Sequence, residues 1–93
     1  MAVYIVSYDL RAPGRDYSTL YARLGQWKAV RGLESVWFIN WDTTPVKIRD
    51  DLRQYVDAND LLFVAELKGP SAWSGLYGNA AQMLVTWIDN GSR

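Results

Sequence analysis

A chain of 93 residues holds one hydrophobic core and no second one. Ten basic side chains offset ten acidic ones, so no global field draws the protein to nucleic acid. With no cysteine and no histidine, disulfides, thiolate or imidazole metal sites and Ser-His triads are excluded. Any chemistry must rest on carboxylates, hydroxyls, Arg or Lys, and any metal on oxygen ligands. Apolar residues make up 49% of the chain, and five Trp and six Tyr supply much of the area to be buried. Stability from one core of this size is modest, so self-association would help. The first residues, Met1-Ala2-Val3-Tyr4-Ile5-Val6, carry no basic leader, and no run approaches the ~18 apolar residues of a membrane span. The expected location is cytoplasmic, with no membrane partner.

Residues 3–10 read as a first strand, apolar on both faces as a central strand is, with Asp9 breaking the pattern at its end. A loop follows at Arg11-Ala12-Pro13-Gly14-Arg15. Asp16 is the expected N-cap of a helix whose stripe is Tyr17, Leu20, Tyr21 and Leu24, ending at Gly25. Residues 27–30 and 34–41 are expected as two strands meeting at Arg31-Gly32, the second holding Val, Trp, Phe and Ile in succession. Thr44 and Pro45 then read as the cap and first position of a second helix, with Ile48, Leu52, Tyr55 and Val56 as its buried stripe. A turn at residues 57–60 leads to a final strand at 61–67, stopped by Lys68-Gly69-Pro70. A third helix is expected in the tail from Tyr77, Ala80, Ala81, Leu84 and Ile88, with Gly91 past its end.

The expected fold is therefore α/β of the α+β kind: a ferredoxin-like βαββαβ domain over residues 1–68, with a helical extension over 69–93 packed on it. Right-handed crossovers place strands one and three in the middle of a four-stranded antiparallel sheet, with helices covering one face. In that topology Asp9, Glu34, Ser35 and Asp60 meet at one edge of the sheet, with Arg11 and Arg15 in the loop above. Clustered carboxylates suit a hard cation such as Mg²⁺, which polarises phosphate and activates water, while Arg holds phosphate oxygens. The plainer reading is that these carboxylates cap turns and that Asp9 accepts backbone N–H groups of its own loop. Trp37, Phe38 and Trp41 raise a parallel choice. A Trp- and Tyr-bearing sheet face stacks bases or forms a dimer interface, and zero net charge favours the interface. The charged run of Arg49, Asp50, Asp51 and Arg53 reads as a solvated helix face.

Tyr-Ile-Val-Ser-Tyr-Asp-Leu at 4–10 resembles the first-strand signature of a CRISPR-associated family, the small ferredoxin-fold proteins that partner the spacer-integrating nuclease. Glu34-Ser35-Val36-Trp37-Phe38 is similar to that family's second motif, a Ser-Val-Phe run on a central strand. The resemblance spans residues 2–68 and is nearer to the SinR-like side branch. It implies a homodimer with Asp9 near its twin across the two-fold axis, acting as a metal-dependent nuclease or as a DNA-holding scaffold. The family's basic helix start is replaced here by Ala12-Pro13-Gly14-Arg15-Asp16, and the tail after Pro70 is expected to be helical rather than a dimer-exchange strand.

The expectation that follows is a dimeric metal-dependent nuclease, such as an endoribonuclease, or a nucleic-acid-binding scaffold for RNA or DNA. Asp9 is its catalytic residue and Mg²⁺ or Mn²⁺ ligand, Ser35 a catalytic orienting group, and Arg11 and Arg15 its substrate contacts. The alternative is a non-catalytic module that engages a protein partner in a toxin–antitoxin or antiviral defence system. A small-molecule sensor is a third reading.

Overall fold

The structure, a computed structural model, describes residues 2–12, 14 and 16–88. The chain runs β1 (Ala2–Asp9), α1 (Ser18–Gln26), β2 (Val30–Leu33), β3 (Val36–Trp41), α2 (Pro45–Leu52), β4 (Leu61–Glu66) and α3 (Ala80–Trp87), with a 3-10 turn at Arg53–Tyr55. Its four strands form one antiparallel sheet in the order β2-β3-β1-β4. This is the expected α+β, ferredoxin-like arrangement with an added C-terminal helix.

The apolar alternation of β1 explains why helices lie on both faces. Side chains along a strand alternate between faces, and Val3 and Val6 are both fully buried. Tyr4, Val6, Tyr8 and Ile39 pack against Leu20 and Leu24 of α1 and Ile48 and Leu52 of α2. On the opposite face Val3 and Phe38 pack with Leu84 of α3, bordered by Ile5, Val30, Leu67, Leu76 and Trp87. The expectation of helices on one face is therefore corrected. Val3 and Phe38 would otherwise meet water, and α3 packs on β2 and β3 to cover them.

Three local features differ from the sequence reading, each for a visible reason. The hairpin turn lies at Glu34-Ser35, not at Arg31-Gly32, both of which belong to β2. Gly32 is there for space: a Cβ on it would stand 2.4 Å from the Phe38 ring. Asp16 does not sit at the helix cap itself. Its Oδ1 accepts the Ser18 N–H at 2.8 Å, and that bond holds the carboxyl below its usual pKa. Helix α2 opens as expected, with Thr44 Oγ1 accepting the Lys47 N–H at 3.2 Å and Pro45 in the first turn. It ends earlier, at Leu52, so Tyr55 and Val56 join the core from outside the helix. The third helix is where expected at 80–87, while Gly91 lies outside the described residues.

The two helices of the first face are tied by one ion pair. Arg23 of α1 donates to both oxygens of Asp51 of α2, at 2.8 and 2.7 Å. The same guanidinium lies 4.9 Å from the Trp27 ring, which in turn packs on Trp41 at 5.2 Å.

Candidate functional site

The antiparallel register brings the end of β1 beside the starts of β3 and β4. Asp9 stands opposite Leu61, Ser7 opposite Val36 and Phe63, and the Tyr8 N–H donates to the Ser35 carbonyl at 3.1 Å. Of the four residues expected at this edge, the backbone brings Asp9, Ser35 and Asp60 together, while the Glu34 carboxylate meets Tyr77 instead. Their side chains are committed in different ways.

Asp9 is the open one, with 59% of its side chain exposed. Its Oδ2 accepts both Nε and Nη2 of Arg11, at 3.1 and 2.9 Å. No hydrogen bond reaches its Oδ1 among the described residues. Arg11 is thus engaged by Asp9 rather than held out for a phosphate, because two opposite charges two residues apart at a strand end meet first.

Asp60 is closed. Its Oδ1 accepts the Arg11 N–H at 2.6 Å, both oxygens accept the Tyr17 hydroxyl at 2.9 and 2.7 Å, and Oδ2 accepts the Asp57 N–H at 2.7 Å. This carboxylate pins the loop after β1, the start of α1 and the turn before β4 in one knot. Asp60 thus takes the plainer of its two expected roles, that of an anchor, because its lone pairs are met by protein donors. Tyr17, expected as a stripe residue, is the knot's second member.

Glu34 and Ser35 belong to the hairpin turn. Glu34 Oε2 accepts the Tyr77 hydroxyl at 3.2 Å, and its carbonyl accepts Arg31 Nε at 3.0 Å. No hydrogen bond joins Ser35 to Asp9. Arg15 lies outside the described residues. Among the described residues no three carboxylates converge on one point, so a single protomer offers a hard cation little beyond the free oxygen of Asp9.

The aromatic residues divide sharply. Trp37 faces the helices: its Nε1 donates to the Tyr8 hydroxyl at 2.9 Å and its ring stacks on Tyr21 with centroids 6.1 Å apart. Arg31, directly opposite Trp37, places its guanidinium 5.0 Å from Tyr21 and 5.7 Å from Trp37. Burial raises the Tyr8 phenol above its usual pKa. These rings are filled by protein and leave no platform for a base. The Arg31–Trp37 pairing lies outside the sequence expectation, which starts β2 three residues too early.

The uncovered surface is elsewhere. Helix α3 packs mainly on β2 and β3, and its cluster reaches Val3 of β1 but not Leu61 and Phe63 of β4. Phe63 is 64% exposed and Leu61 52% exposed there, beside Ser7 and Asp9. Among the described residues no helix is long and apolar enough to cross a membrane. No protein-family model matches the chain, and no solved structure matches it.

Proposed function

We propose that the protein is a homodimeric interaction module, non-catalytic in itself, that engages a protein partner as a component of a toxin–antitoxin or defence system. The observation that carries this reading is the outer flank, on β4, of the sheet face that carries α3, where Phe63 and Leu61 stand in solvent. Large apolar side chains grouped on one sheet face mark an association surface more often than they mark chemistry. The commitments of the nearby carboxylates support the same reading: Asp60 anchors loops, Glu34 accepts from Tyr77, and Arg11 neutralises Asp9. Light scattering across a concentration series tests it together with cleavage assays on labelled RNA and DNA in Mg²⁺ or Mn²⁺. The expected result is a dimer mass for the wild type, a monomer for Phe63→Lys, and no metal-dependent cleavage. Cleavage that needs the metal and disappears in a folded Asp9→Ala variant would overturn it.

A second reading is favoured by one specific observation, the unbonded Oδ1 of the exposed Asp9 on that same face. In it the protein is a dimeric metal-dependent nuclease or a nucleic-acid scaffold of the CRISPR-associated type. Asp9 from each copy would share a Mg²⁺ or Mn²⁺ ion, which supplies Lewis-acid activation of phosphate and water. Arg11 would have to leave Asp9 to meet a phosphate, and Ser35 would orient the carboxylate from the turn. The ion would also relieve the repulsion between the paired carboxylates.

A further inference from the structure

The two edges of the sheet are not equivalent. At the β2 edge the Tyr77 N–H donates to the Gly32 carbonyl at 2.9 Å, so the segment leading to α3 occupies part of that side. At the other end of the sheet, β4 has β1 as its only strand neighbour among the described residues.

The polarity of the open edge can be read from one bond. The Leu67 N–H donates to the Val3 carbonyl at 2.8 Å, one step beyond the end of β4. Backbone groups alternate in direction along a strand, so Leu61, Phe63 and Ala65 direct theirs toward β1. Leu62, Val64 and Glu66 therefore direct their N–H and C=O groups outward. Nothing inside β4 protects that row: its sequence, Leu61-Leu62-Phe63-Val64-Ala65-Glu66, has no Pro, no Lys and no Gly.

Resting on the reading of the protein as a homodimer, we infer that β4 pairs antiparallel with β4 of a second copy, with the two Val64 residues facing each other at the two-fold axis. The alternation restricts outward pairing to even-numbered residues, and charge separates the register centred on Val64 from the one centred on Phe63. With Val64 opposite Val64, Leu62 pairs with Glu66, and Asp60 stands opposite Lys68 of the second copy at both ends. Phe63 then lies against Ala65, large against small, and Leu61 against Leu67, on the face that α3 leaves open. Sliding by one register step, so that Phe63 meets Phe63, sets Asp60 against Glu66 at both ends, a like-charge contact. Asp60 keeps its own donors in the pairing and contributes its charge. Among the described residues Lys68 reaches only Glu66, at 3.6 Å, and it is 73% exposed, so it is available to do the same. The product is one continuous eight-stranded sheet with α1 and α2 of both copies on the same side.

This geometry differs from a dimer built around Asp9. Asp9 pairs with Leu61, three residues from the Val64 axis, so the edge dimer leaves the two Leu61 residues about 20 Å apart along the strands. A dimer that brings two Asp9 together places the end of β1 and the start of β4, with Leu61, at the two-fold axis instead of Val64. Single cysteines separate the cases without background, because the chain has none of its own. Directly opposed residues in an antiparallel pair have Cα atoms about 5.5 Å apart, within disulfide range.

The experiment is oxidation of Val64→Cys and Leu61→Cys proteins at dimer-forming concentration, with light scattering on the wild type and on Val64→Pro. Proline at 64 removes an outward N–H and no bond to β1, so the monomer is expected to fold. The expected result is crosslinking of Val64→Cys, none of Leu61→Cys, and about tenfold or more weaker dimerisation in folded Val64→Pro. Crosslinking at Leu61 and not at Val64, or a Val64→Pro dimer as tight as wild type, would overturn the edge pairing while leaving the interaction module standing. A wild type that is monomeric at every concentration would overturn both.

Discussion

The two faces of this sheet are built from similar residue types and end in different states. On the first, Leu20, Leu24, Ile48 and Leu52 of two helices seal Tyr4, Val6, Tyr8 and Ile39, and an arginine clamp locks the helices together. On the second, a single helix of eight residues covers only the side carrying Val3 and Phe38. The remaining half keeps Phe63 and Leu61 in water next to an open strand edge. The difference is one of coverage: among the described residues α3 spans one flank of the sheet and leaves Leu61 and Phe63 on the other exposed. What a monomer leaves uncovered on its most apolar element is where its association is to be sought.

The largest effect expected from this contrast is on stability. Leu24→Ala or Leu52→Ala should cost about 2–5 kcal/mol, since both side chains are fully buried and would leave a cavity. Phe63→Ala should change monomer stability by less than about 0.5 kcal/mol in urea unfolding at low protein concentration. A large loss from Phe63→Ala would mean that the face is already covered.

The carboxylates at the end of β1 give the next contrast. Asp60→Ala removes the acceptor of the Arg11 N–H, the Asp57 N–H and the Tyr17 hydroxyl, and about 3 kcal/mol of destabilisation is expected. Asp9→Ala removes only an exposed pair with Arg11, and a change within about 0.5 kcal/mol is expected. Equal losses would erase the distinction between an anchor and a free group.

Gly32→Ala sharpens the account of the second face. The added methyl would meet Phe38 at 2.4 Å, and the ring can move only by disturbing its packing with Val3 and Leu84. Overpacking there should cost about 1–3 kcal/mol.

The smallest expected effect is a pH dependence of the α1–α2 clamp. Hydrogen bonds from Arg23 hold the Asp51 carboxyl below its usual pKa. A depressed folded pKa contributes stability above the unfolded value, and that contribution is lost as pH falls through the folded one. The stability gap between wild type and Asp51→Asn should therefore be present at neutral pH and close under acid. A gap unchanged by acid would place the clamp's contribution in packing of Arg23 on Trp27.

Much of the fold was legible because it rests on periodicity and caps. The two-faced apolar pattern of β1, the Thr44-Pro45 helix start and the tail helix are written in local spacing. The hairpin was not, because Gly32 reads as a turn residue until Phe38 is seen against it. The gathering of Asp9, Ser35 and Asp60 followed from topology alone. Their roles did not, since Asp60 is filled by Tyr17, 43 positions away in sequence, and no spacing rule pairs them. The exposure of Phe63 was equally hidden: its strand reads as apolar on both sides, and only the placement of α3 decides which part stays open.

The most direct test of the open flank is amide hydrogen exchange as a function of protein concentration. The N–H groups of Leu62, Val64 and Glu66 point away from β1 and should exchange fast in dilute protein, then gain protection together as concentration rises. Those of Phe63 and Ala65 should stay protected throughout. If the three outward amides exchange at the same rate at every concentration, β4 is not an association edge and the central claim fails.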